Sequence, residues 1–337
     1  MRFLLYYTQH LCPFFSPNPG AAVSPDLLAT KLFLPPGRAS HVPRPRLTQI
    51  LDQVWQQNRK LTLVSAAAGY GKTTLVIEWL HSLAVKNAWL SLDEGDNDPA
   101  RFLAYLIAAL GHIHAQIGAK TLPLLQSPQP LPPELVLTSL INEIATLSEP
   151  FVLALDDYHV IHALPVHRQL EFLVEHQPPQ MRLVLITRED PPLPLARLRA
   201  RGQMVEIRQA DLRFSPAECR EFLGRSMGLE LSQQDIAALE RRTEGWIAGL
   251  QLAALSMLSC DDLPGFIQAF SGSSYYVLEY LIAEVFERQP EQVQTFLLKT
   301  CLLDRLCGPL CDAVATRTGS AALLDRLEHA NLFLIPL

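Results

Sequence analysis

The sequence predicts a parallel α/β sheet domain followed by an all-α half, and three observations carry that prediction. Short apolar runs at 60–65, 88–92, 151–155, 182–187 and 204–207 alternate with helical patterns or long crossovers, the order that parallel strands demand. The first run leads straight into a glycine loop, A-A-A-G-Y-G-K-T-T at 66–74, and then into an apolar stripe at helical spacing. From Ser215 onward the strand-like runs stop.

Composition sets the outer bounds. A chain of 337 residues, 49% hydrophobic and 18% charged, is globular and long enough for two or three domains of about 100 to 200 residues. Its 28 basic residues against 34 acidic ones, net charge -6, argue against direct DNA binding and against an anionic membrane as partner. No apolar run approaches the roughly 18 to 20 uncharged residues that span a bilayer, and the N-terminus lacks the small-residue cleavage site of a signal peptide. The expected compartment is the cytoplasm. Six scattered cysteines fit reduced thiols, with Cys301, Cys307 and Cys311 expected as small buried residues on helical faces.

Taken in order, residues 1–25 are proline- and aromatic-rich without a period and read as a flexible leader. Leu61-Thr62-Leu63-Val64 is a buried strand, and Leu75, Val76, Trp79, Leu80 and Leu83 mark the helix after the glycine loop. Asp93, Glu94, Asp96 and Asp98 precede the helical stripe Phe102, Leu103, Leu106, Ile107 and Leu110 and are read as caps rather than metal ligands. A proline-punctuated loop at 120–134 gives way to a helix marked by Leu135, Leu137, Leu140, Ile141 and Ile144. The basic run A-R-L-R-A-R-G at 196–202 lacks interleaved aromatics and reads as a solvated helix face. Ser215-Pro216-Ala217-Glu218 places an N-cap, a first-turn proline and a third-position Glu, a strong helix start. Helices then run to about 272, S-G-S-S at 271–274 is a hinge, and further helices end on the strand-like L-F-L-I-P-L. The expected units are a leader at 1–25, an α/β domain at 26–214, a helical domain at 215–272 and a last domain at 273–337. An apolar run at Leu337 needs a partner for its edge, so the chain is expected to be part of a longer protein.

The chemistry lies at the strand ends. A buried strand, a glycine loop and a helix form an anion cradle from backbone N–H groups and the helix start. Ala68, Gly69, Tyr70, Gly71 and Thr74 belong to this cradle, Lys72 reaches the β/γ-phosphates of a nucleotide, and the Thr73 hydroxyl ligates Mg²⁺. Ala66 occupies the place of the usual first glycine. F-V-L-A-L-D-D ends in two carboxylates: Asp156 on the magnesium side, and Asp157 either as the base that orients attacking water or as a loop cap. Arg188, after L-V-L-I-T, is either a γ-phosphate sensor or a surface arginine. The cofactors expected are ATP or ADP with Mg²⁺.

With these residues in view, the chain resembles the STAND ATPases, and most closely the MalT-like branch of large LuxR-type transcriptional regulators. The resemblance rests on L-L-A-T-K-L-F-L-P-P with V-P-R-P-R-L, A-A-G-Y-G-K-T-T-L, W-L-S-L-D-E-G-D-N-D-P-A-R-F, L-A-L-D-D-Y-H, T-R-E-D-P-P-L-P-L-A-R-L-R-A-R-G, D-L-R-F-S and G-W-I-A-G-L-Q-L-A, covering about residues 25 to 255. It implies a sheet of order 5-1-4-3-2, a helical lid, and an incomplete winged helix at 273–337, closing together around ADP at rest. It also implies that Val42-Pro43-Arg44 lies against the adenine, and that Gln251 stands where relatives carry a lid-contact proline. The nucleotide-latching histidine of the family is expected beyond Leu337, since His329 lacks the right setting, and the C-terminal sensor arm and helix-turn-helix are expected there too. The function implied is a switch in which ATP replaces ADP, the module self-associates on activation, and slow hydrolysis resets it. Two alternatives are a P-loop metabolic enzyme such as a kinase, for which 215–337 shows no convergent polar cluster, and an AAA-type remodelling ATPase, which needs an arginine finger.

Overall fold

Five parallel strands form one sheet in the computed structural model, which describes residues 27–37, 41–125, 127, 131–258, 262–270, 275–303 and 305–329. They are β1 (Leu61–Ser65), β2 (Lys86–Ser91), β3 (Phe151–Asp156), β4 (Met181–Thr187) and β5 (Met204–Arg208). Their order, β2-β3-β4-β1-β5, is the expected 5-1-4-3-2 seen from the other edge. Register sets Ser65 opposite both Thr187 and Arg208, and Ser91 opposite Asp156. Parallel strands in this register bring their carboxyl ends to one edge of the sheet.

Each strand turns alternate residues to opposite faces, and helices cover both. Leu61, Leu63, Leu153 and Leu185 pack with Phe102, Leu106, Leu140 and Leu170 from the helices Pro99–Gly111, Pro133–Ala145 and Leu164–Glu175. Val64, Val152, Val184 and Ile186 belong to the opposite core, with Leu47, Leu51, Val76 and Trp79 from Pro45–Gln56 and Lys72–Ser82. That second core continues without a break into Leu239, Leu250 and Ala253 of the lid helices Gln233–Thr243 and Ile247–Met257. The lid is therefore fixed to the phosphate-loop side of the sheet by shared apolar burial.

Capping follows the sequence reading. Asp93 and Asp96 form a reciprocal capping box, and Asp98 accepts from the N–H of Arg101 at the start of Pro99–Gly111. Fully buried Asp96 also pairs with Lys31, tying the turn Ala29–Leu32 to the end of β2. Ser215 and Glu218 close the capping box that opens the lid. In the basic run, Arg197 and Arg199 pair with Glu175 and Glu206 near the surface.

Among the described residues no strand follows Arg208. The helices Glu291–Thr300, Gly308–Ala315 and Ser320–His329 gather a small separate core of Phe296, Cys311, Ala315, Leu323 and Leu327. One expectation needs correcting here: Cys311 is buried, but Cys301 and Cys307 are exposed, because each follows or precedes a helix end rather than facing its core. The expected leader, the hinge at 271–274 and the apolar run at 332–337 lie outside the described residues. No described helix is long and apolar enough to cross a membrane.

Candidate functional site

The loops after β1, β3 and β4 meet at the carboxyl edge of the sheet. Behind β1 the chain turns through Gly69 and Gly71, both at φ +77°, a left-handed conformation that glycine reaches without a Cβ penalty. Gly71 then caps the helix Lys72–Ser82, so its first N–H groups and positive dipole end face a cavity of about 360 Å³. The Ala67 N–H donates to Gln209 Oε1 at 3.1 Å, anchoring the loop to the end of β5.

Lys72 is buried, and its ammonium donates to the Ala67 carbonyl at 2.9 Å. Burial, and after it the charge of Arg188, lowers its pKa to about 8, while Asp157 and Asp156 pull the other way. A buried ammonium beside a second cation is an environment that an anionic ligand relieves. At the end of β3, Asp156 Oδ1 accepts from Thr73 Oγ1 at 3.1 Å and from the Asp157 N–H at 2.9 Å. Burial and the neighbouring Asp157 push the Asp156 carboxyl up to about 7. The hydroxyl and carboxylate oxygens that stand together here are donors of the kind a hard divalent cation takes.

Asp157 lines the cavity from a left-handed backbone, φ 55°. Its carboxylate lies 3.8 Å from Nδ1 of His159, whose pKa burial and the cations Arg188 and Lys72 push down to about 3, leaving a neutral imidazole. Arg188 lines the cavity from the end of β4 and reaches out of the sheet domain: its Nη1 donates to the carbonyl of Glu284 at 2.8 Å and its Nη2 to Glu284 Oε2 at 3.2 Å.

The lid touches the glycine loop directly. Trp246 Nε1 donates to the Ala68 carbonyl at 3.0 Å, and the Ala248 N–H donates to the Gly69 carbonyl at 3.1 Å. The Tyr280 ring tilts against Trp246 with centroids 5.7 Å apart. A Cβ on Gly69 would stand 2.6 Å from Ala248 Cβ, 2.8 Å from Trp246 Nε1 and 2.9 Å from the Tyr280 hydroxyl. Only a glycine lets the lid come this close.

At the apolar end, Val42, Phe214 and Phe222 wall the cavity. Arg44 is buried there, and its guanidinium donates to Glu218 Oε1 at 3.2 Å and to the carbonyls of Leu212 and Arg213 at 2.9 and 3.0 Å, over the Phe214 ring. Its visible work is to fasten the segment before Pro45 to the start of the lid.

Of the residues singled out from the sequence, Arg44, Ala68, Gly69, Gly71, Lys72, Thr73, Thr74, Asp157, Arg188 and Gln251 all line this one cavity. Asp156 stands one contact behind, through Thr73. The Tyr70 side chain turns into the core, so it offers the cradle its backbone alone. Sequence reasoning missed Trp246, Tyr280, Glu284 and the placement of His159. The G-W-I-A-G segment held a signal for Trp246, an aromatic immediately before a helix, whereas nothing local marks Glu284 as the partner of an arginine 96 residues away.

Residues 35–186 match the family described as the AAA ATPase domain, and residues 282–337 match the MalT winged helix domain. The chain is 32% identical over 314 residues to the serine/threonine-protein kinase PknK of Mycobacterium tuberculosis, covering 92% of this chain and 28% of that one. It is 33% identical over 310 residues to the HTH-type transcriptional regulator MalT of Serratia proteamaculans, covering 91% and 34%. The chain thus spans about a third or less of the length of these relatives. Among solved structures, the fold is similar to that of a Walker-type ATPase of Pyrococcus abyssi, with TM-score 0.58, 16% identity, and 88% and 91% of the two chains covered.

Proposed function

The chain belongs to the MalT-like, STAND-class P-loop ATPases, and from that premise we propose that it is a nucleotide-operated switch, closed with ADP and released by ATP. The observation that carries this reading is the lid seated on the phosphate loop itself, Trp246 on the Ala68 carbonyl and Ala248 on the Gly69 carbonyl, at the cavity that also holds Lys72 and Arg188. Anything that rearranges the loop is felt by the lid at once.

In this reading the loop N–H groups and Lys72 bind the β-phosphate side of the nucleotide, and Val42, Phe214 and Phe222 exclude water around the base. Thr73 and Asp156 are the residues that would hold Mg²⁺, which neutralises phosphate charge when bound. Asp157, on its left-handed turn, orients a water toward the terminal phosphate, and His159 beside it, being neutral, adds no positive charge to that carboxylate's surroundings. Arg188 marks the terminal-phosphate end. Hydrolysis serves to reset the switch slowly. Sensor and DNA-binding parts elsewhere in a longer cytoplasmic regulator would read the released state, with self-association on activation.

A kinase-like metabolic role is the weaker reading, because the wall facing the phosphate loop is mainly Ile247, Ala248 and Phe222, with Gln251 and Tyr280 as its polar side chains and no charged group among these five to bind or activate an acceptor. Calorimetry with Mg·ADP and Mg·ATP tests the proposal alongside steady-state turnover. Binding of both nucleotides with slow turnover is expected; absence of binding, or fast turnover indifferent to assembly, would overturn it.

A further inference from the structure

Glu284 lies in the π-helical turn Ile282–Phe286, at the end of the helix that begins at Tyr275. The last carbonyls of a helix have no intrahelical partner and carry the negative end of its dipole. The carbonyl of Glu284 is one of these, and Arg188 donates to it at 2.8 Å while also contacting the carboxylate of the same residue at 3.2 Å. The carboxylate is shared with Arg288, whose Nη2 stands 2.9 Å from Oε2 and 3.0 Å from Oε1. With Arg188 22% exposed and Glu284 32%, this is a partly shielded pair rather than a surface one.

Its position gives it a consequence for ligand choice. Arg188 lines the nucleotide cavity, and its charge is the largest electrostatic influence on Lys72 after burial. Two cations therefore face the phosphate end, and a counter-charge for one of them comes from outside the sheet domain. A diphosphate is served by the glycine loop and Lys72 without disturbing that arrangement. A triphosphate adds charge toward the ends of β3 and β4, where a carboxylate already sits on the guanidinium. A guanidinium whose N–H groups are already taken by a carboxylate and a carbonyl has fewer to give a second anion, so the terminal phosphate and Glu284 compete for Arg188.

We propose that Glu284 is a specificity-determining residue of this site: its carboxylate holds the Arg188 guanidinium in the place of a terminal phosphate, tolerating nucleoside diphosphate and disfavouring triphosphate until the segment around Tyr280 and Glu284 leaves the sheet edge. The inference rests on the nucleotide-switch reading and adds to it the group that sets the preference. It also makes Arg188 a shared receptor, for the closing segment in one state and for the terminal phosphate in the other.

The test is calorimetric titration of the full chain with Mg·ADP and with the magnesium complex of the non-hydrolysable analogue AMP-PNP, for wild type, Glu284→Gln, Arg188→Gln and the double variant. Glu284→Gln is expected to tighten AMP-PNP by on the order of ten-fold, the scale of one charge-assisted contact, and to leave ADP within about two-fold. In the Arg188→Gln background the same substitution is expected to change neither. Equal gains for both nucleotides, no gain at all, or a gain that persists without Arg188 would overturn the proposal. A wild-type chain that binds neither nucleotide overturns the switch reading and this one with it, whereas a wild type that binds both, at a ratio Glu284→Gln leaves alone, overturns this one only. Glu284→Asp, which keeps the charge and shortens the reach, covers a Gln variant that fails to fold; a smaller shift of the same sign is expected, and an unchanged ratio counts against the proposal.

Discussion

Lys72 spends its one hydrogen bond to the Ala67 carbonyl holding a charge in a place where burial resists it. Such a side chain is placed for a ligand more than for stability, since replacing it removes a desolvated ammonium along with a single backbone contact. Lys72→Ala is accordingly expected to keep the fold and the melting temperature while weakening ADP and ATP by roughly 10- to 150-fold, the equivalent of about 1.5 to 3 kcal/mol; calorimetry beside a thermal melt checks both halves, and unchanged affinity would remove the phosphate loop from the site. Arg188→Ala should act differently, because that guanidinium stands at the end of β4 rather than in the loop. ADP affinity is expected to stay nearly intact and ATP affinity relative to ADP to fall; parallel losses for both nucleotides would make Arg188 a structural residue.

Among the elements, the glycine loop and the lid share one surface, and Gly69 is where they touch. Gly69→Ala would place a Cβ against Ala248, Trp246 and Tyr280 at distances no real contact sustains, on a backbone at φ +77°. The same change at Gly71 meets Ile247 at a comfortable 3.6 Å, though its φ is also +77°. Hydrogen exchange over 246–257 should therefore accelerate in Gly69→Ala well beyond the rate in Gly71→Ala; matching rates would show that the lid does not depend on this approach. At the sheet edge, the Arg199 hydrogen bond, with Arg208 behind it, holds the Glu206 carboxyl of β5 down to about 2 against an ordinary 4.5. A depressed carboxylate stabilises the fold above its unfolded pKa and loses that contribution as pH falls through the folded one. The melting temperature is expected to drop between about pH 4.5 and 2, and less steeply in Glu206→Gln; identical slopes would place the acid sensitivity elsewhere. The strands were legible because β1, β3 and β4 are buried along their whole length and so read as continuous apolar runs. β2 begins two residues before its apolar run because Lys86 and Asn87 pair with Phe151 and Val152 through backbone alone. The loop residues of the site were legible for the same local reason, whereas Trp246 meets Ala68 across 178 residues and Glu284 meets Arg188 across 96, separations that no motif encodes.

For the whole molecule, charge and architecture bear on what the chain does unaided. With 28 basic against 34 acidic residues, and with Arg197 and Arg199 of the basic run paired with Glu175, Glu206 and Asp190, the chain has no basic excess with which to displace counterions from a nucleic acid. Gel-shift titration at low salt against promoter and random DNA is expected to show no sequence-specific complex; a specific, salt-sensitive shift would refute this. The contact of Trp246 with the phosphate loop also has an optical side. The chain holds four tryptophans, and Trp55, Trp79 and Trp89 all belong to the sheet domain, the last two fully buried. Trp246 alone rides on the lid, with its indole N–H anchored on a carbonyl and its ring beside a tyrosine. On the switch reading, departure of the segment that carries Tyr280 would open that one indole to water and leave the other three in their packing, so the emission maximum of the unlabelled protein should move to longer wavelength with a single amplitude, and a Trp246→Phe variant should be silent. If the proposed switch operates, the molecule carries its own dye at the joint, and stopped-flow mixing with nucleotide would time the opening without any attached probe.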